Sequence, residues 1–104
     1  MANVNILVLA DHPEILETII RLINKNEEWN GIGVASFEQA QEAFRKNKID
    51  LVLLGVGVDD ETQSQMLQLC QSVDQTIVCI RHFGGGSGLL HSEIQHALVQ
   101  RQLN

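Results

Sequence analysis

The chain has 104 residues, enough for a single domain of 1–104 whose core needs no disulfide or metal staple. Hydrophobic residues make up 44% and charged residues 19%, which excludes a disordered chain. The 13 acidic residues outnumber the 7 basic ones, the net charge is −6, and no Lys/Arg run occurs, so neither nucleic acid nor an anionic membrane is the expected partner.

Val4 to Ala10 is aliphatic almost throughout, the pattern of a strand buried on both faces. It is too short to span a membrane and no positively charged region precedes it, so a cytoplasmic, reducing setting is the expectation. Asp11-His12-Pro13 stops the run, and Pro13 suits a first helical turn because its missing N–H would be unpaired there anyway. Leu16, Ile19, Ile20 and Ile23 form one apolar stripe on a helix of about 13–26. Asp11, alone at the strand end, is expected to cap that helix rather than to hold a metal.

Gly31 to Ala35 reads as a weaker strand, with Trp29 at its start as a hydrophobic lid. Ser36 and Gln39 make a capping box for a helix whose stripe is Phe37, Ala40, Ala43 and Phe44. Leu51 to Val56 is the clearest strand, and Asp59, Asp60 and Glu61 place negative charge where the next helix dipole favours it. Met66, Leu69, Cys70 and Val73 line that helix. Thr76 to Arg81 is a fourth strand, and Leu90, Ile94, Ala97 and Leu98 mark a last helix. Cys70 on an apolar helix face and Cys79 within a strand are expected as buried free thiols.

The alternation predicts an α/β domain: a doubly wound, three-layer parallel sheet with right-handed crossovers. Ligands of such sheets bind outside the carboxyl ends of the strands, where Ala10, Asp11, His12, Gly55, Val56, Gly57, Arg81 and His82 should lie.

Leu9-Ala10-Asp11-His12-Pro13 is similar to the Val-Asp-Asp-His-Pro opening found among receiver domains of bacterial two-component response regulators. Asp50-Leu51-Val52-Leu53-Leu54-Gly55 resembles their third strand in register. The resemblance covers residues 3–82 and implies a flavodoxin-like sheet of strand order 2-1-3-4, with a fifth strand lost or rudimentary. It also implies a phosphorylation site of five parts: two acids for Mg²⁺, an aspartate nucleophile, a hydroxyl and a lysine. In this sequence Ala10 replaces the first acid, Asp11 keeps the second, Gly55 stands at the nucleophile and Arg81 at the hydroxyl. His91 is a poor counterpart of the lysine. The resemblance is therefore to a pseudo-receiver, without phosphoryl chemistry, metal or cofactor.

The last third departs from that pattern. Only Phe83 to Gly88 separate the fourth strand from Leu89, whereas a parallel crossover needs about a dozen residues. Either the helix beginning near Ser87 or Ser92 follows directly, which is the preferred reading, or Leu89-Leu90 makes an irregular strand. The first case leaves strand 76–81 as a sheet edge open to pairing.

Gly84-Gly85-Gly86-Ser87-Gly88 lacks a phosphate-loop lysine and reads as a connector, and His12, His82, His91 and His96 read as surface histidines. Removal of the side chain at Gly55 suggests room for the Arg81 guanidinium to reach Asp11 as an internal ion pair. No nucleophile–base set assembles, so an enzyme is not expected.

The leading functional expectation is a non-phosphorylatable signalling or scaffold module. Its partner would be a protein, either a sensor kinase or a regulator, or a second copy met through strand 76–81 or the C-terminal helix. No helix-turn-helix output accompanies the domain, so its effect is expected to pass through that partner. The alternative is a sensor of a small anion or nucleotide, using a crevice of Asp11, His12, Gly55, Gly57, Arg81 and His82.

Overall fold

The aliphatic run at the start of the chain forms β1 (Val4–Leu9), and Pro13 opens α1 (Pro13–Asn24). There follow β2 (Trp29–Val34), α2 (Phe37–Lys46), β3 (Leu51–Leu54), α3 (Asp60–Val73), β4 (Val78–Arg81) and α4 (Ser87–Leu103). This computed structural model describes residues 4–55, 57–82 and 87–103. Val56 and the glycines at 84–86 lie outside the described residues.

All four strands are parallel, in the order β2-β1-β3-β4. Alternation along each strand divides the core. Leu7, Leu9, Val52 and Leu54 face α2 and α3, where Ala40, Ala43, Met66 and Cys70 close the layer. Ile6, Val8, Leu51 and Leu53 face α1 and α4, meeting Ile19, Ile23, Leu90, Ile94 and Ala97. The result is the doubly wound three-layer sheet of flavodoxin-like receiver topology. Each fully buried aliphatic side chain in these layers stabilises the fold by roughly 1.5–3 kcal/mol.

Local chemistry sets the boundaries. Ser36 Oγ accepts from the Gln39 N–H at 3.2 Å, while Gln39 Oε1 accepts from the Ala35 N–H at 2.8 Å, a capping box closed one residue earlier than the usual N-cap. Asp59 caps α3 by accepting from the Thr62 N–H at 2.8 Å, and these Thr62 hydrogen bonds hold its carboxyl below the usual carboxylate range. Asp50 is buried yet satisfied: its Oδ2 accepts from the Asn5 N–H at 2.8 Å, tying the start of β1 to the approach of β3.

Several boundaries differ from expectation. β2 starts at Trp29 because parallel pairing with β1 sets Trp29 opposite Val4; Trp29 is thus a core residue of the strand itself. Val73 is 54% exposed, since α3 ends there and turns its last residue away from the sheet. No fifth strand occurs among the described residues; Leu89 and Leu90 are helical, and α4 covers the sheet directly. β4 is an edge, with all four of its residues half-buried. No described helix is long and apolar enough to cross a membrane.

Candidate functional site at the carboxyl ends of the strands

Register aligns the strand ends. Leu9 pairs with Val34 and with Leu54, and Leu54 pairs with Arg81. The next row continues the ladder: Ala10 N–H donates to Val34 O at 3.3 Å, Gly55 N–H to Leu9 O at 2.8 Å and His82 N–H to Leu54 O at 2.8 Å. Ala10, Gly55 and His82 therefore stand side by side, so the register sets His82 rather than Arg81 in the row of Gly55. They offer a methyl group, a hydrogen and an imidazole.

Gly55 is not a gap. A Cβ built there would lie 3.0 Å from the Ala10 Cβ and 3.3 Å from Leu9 O, so the neighbouring strand already occupies the space. Arg81 does not cross to Asp11. One of its terminal nitrogens, Nη2, donates to Val58 O at 2.9 Å and to Gln63 Oε1 at 2.6 Å. β4 thereby holds the β3–α3 loop and the first turn of α3, and the half-buried cation finds oxygen partners without a metal or phosphate.

Asp11 is exposed and does not cap α1. His12 is the N-cap residue, with no side-chain cap bond, which places Asp11 one residue outside capping range. The Asp11 carboxylate instead flanks Gly57, whose φ of 95° lies in the left-handed region that favours glycine. A Cβ at Gly57 would also sit 3.3 Å from the Asp11 Cβ.

The six expected crevice residues have different surroundings among the described residues. Asp11 and Gly57 line a groove of about 370 Å³ with Ser36, Glu38, Asp59 and Thr62. His12 projects to solvent at the start of α1, Gly55 is packed against Ala10, and Arg81 is engaged with Gln63. Asp11, Glu38 and Asp59 make that groove acidic, which disfavours an anion within it. Among the described residues, no three His, Cys, Asp or Glu side chains gather as a metal site.

His82 is not a surface histidine. It is 6% exposed, and its Nδ1 lies 2.6 Å from Glu93 Oε1, joining the end of β4 to α4. His12, His91 and His96 are exposed, as expected. Sequence reasoning missed both Gln63 and Glu93, partners that stand 18 and 11 positions from the residues they hold. No local pattern marks such pairs. It also missed a groove of about 480 Å³ between α1, β2 and α4, lined by Leu22, Trp29, Leu90 and Ile94 together with Lys25 and Asn26. There the Trp29 and His91 rings lie 4.9 Å apart, tilted by 37°.

No protein-family model matches the chain, and no curated protein is similar to it in sequence. Solved structures are similar in fold. An uncharacterized protein from Neptuniibacter caesariensis is 16% identical with a TM-score of 0.79, over 98% of this chain and 92% of its own. A response regulator receiver domain protein from Clostridium thermocellum is 17% identical with a TM-score of 0.75, over 96% and 98%. CheY6 from R. sphaeroides, solved with the P1 domain of CheA3, gives a match of 13% identity and TM-score 0.62, over 95% and 99%. The chain thus has the fold of response-regulator receivers.

Proposed function

We propose that this chain is one receiver-like domain that signals through protein–protein contact and does not accept a phosphoryl group at its strand ends. The observation that carries the reading is the row Ala10, Gly55 and His82, which has no carboxylate where β3 ends and in which a Cβ at Gly55 would lie only 3.0 Å from the Ala10 Cβ. Asp11 is then a vestigial acid, and Arg81 a structural cation bound to Val58 and Gln63. The neighbour CheY6, solved with the P1 domain of CheA3, supports a partner drawn from kinase or regulator proteins. The β4 edge, half-buried and unpaired on its outer side by any described strand, supports docking through β-pairing, to a partner or a second copy. A cytoplasmic setting belongs to the same reading.

Incubation with a small acyl phosphate and Mg²⁺ tests it. Intact mass should be unchanged, and a single phosphoryl adduct would overturn the proposal. Size exclusion at micromolar concentration then distinguishes a homodimer from a monomer that awaits its partner.

A further inference from the structure

Cys70 and Cys79 come from different elements, and the fold brings them together. Cys79 is opposite Val52 in the sheet, so its side chain falls on the α2/α3 face, packed against the core cluster that contains Cys70 and Met66. The chain between them is short and tightly turned. Asp74 N–H donates to Cys70 O at 2.9 Å to end α3, and Ile77 N–H donates to Asp74 O at 3.1 Å to enter β4. Both thiols are free in this structure, Cys70 at 2% exposure and Cys79 half-buried on the open edge strand.

We propose that Cys70 and Cys79 form a reversible dithiol–disulfide site that clamps the edge strand β4 to α3 when the protein meets a peroxide.

The interaction between the two thiols draws the Cys70 pKa below its ordinary value and, with burial, pushes that of Cys79 up. Cys70 therefore supplies the thiolate. Its sulfur attacks one peroxide oxygen: an S–O bond forms, the O–O bond breaks, and the leaving hydroxide takes up a proton as water. The Cys79 thiol then loses its proton and attacks the sulfenic sulfur. The S–S bond forms, the S–O bond breaks, and a second water leaves. The peroxide gains two electrons, and the two thiols lose them. A low-molecular-weight thiol reverses the change by exchange. Cys79, half-buried on the edge strand, is the more open member of the pair, and the chain has no other cysteine to compete.

The folded protein is treated with dilute hydrogen peroxide and read by intact mass, with peptide mapping and non-reducing electrophoresis. Wild type should lose two hydrogens, remain a single chain, show a Cys70–Cys79 crosslinked peptide and return to its starting mass with dithiothreitol. Its melting temperature should rise by about 5 °C or more, because a short loop is closed. Cys79→Ser should instead accumulate a sulfenic acid on Cys70 that dimedone traps, and Cys70→Ser should give no crosslink. Wild type whose thiols both remain alkylatable after peroxide, or oxidise separately to sulfinic acids, or crosslink only between chains, would overturn the proposal.

Discussion

Gly55 packs its backbone against Ala10, and this contact decides how the strand ends behave. A side chain there would press on the Ala10 Cβ at 3.0 Å in a buried row, so a restored carboxylate is expected to strain the strand ends. Gly55→Asp is expected to destabilise the domain by roughly 1–3 kcal/mol, read from the urea midpoint, and to acquire no adduct from an acyl phosphate. Arg81 was legible as an anomaly in the sequence, but its partners were not. Its guanidinium lies with Gln63, eighteen positions earlier in the first turn of α3, rather than with the carboxylate that charge alone suggests. Arg81→Ala should lower stability by roughly 1–3 kcal/mol, with Arg81→Met losing the hydrogen bonds but keeping the packed stem. Adding Gln63→Ala to Arg81→Ala should cost less than the sum of the single changes, since the two side chains share one bond.

At the scale of elements, helices and strands followed from periodicity, and their ends from caps. The stripe Leu90, Ile94 and Ala97 identified the face of α4 that packs on the sheet, and its burial agrees. What the stripe did not reveal is the latch between His82 and Glu93, which links the end of β4 to α4 without a further strand. α4 closes one face of the core in place of a longer crossover, so its central contact is costly to remove. Ile94, with no exposed surface, should lose about 2–5 kcal/mol on substitution by Ala, seen as a lower denaturation midpoint. The same absence of a following strand leaves β4 as an edge. Its short length and the charge of Arg81 at its end limit indiscriminate pairing.

For the whole molecule, two core layers share one four-stranded sheet, and residues 1–104 are expected to unfold as a unit. Urea unfolding followed by Trp29 fluorescence and by circular dichroism should give coincident single transitions; separate midpoints would mean two independent units. Length, alternation of aliphatic runs with amphipathic stripes, and turn residues by themselves determined the α/β class and most of the face each helix buries. These are local signals, repeated every two or about 3.6 residues, and burial enforces them. The strand row that sets Ala10, Gly55 and His82 side by side, the Arg81–Gln63 and His82–Glu93 pairs and the proximity of Cys70 to Cys79 were decided only by the tertiary structure. Each depends on parallel register between distant segments and on the space left by neighbouring backbones. No residue's immediate sequence neighbours carry that information.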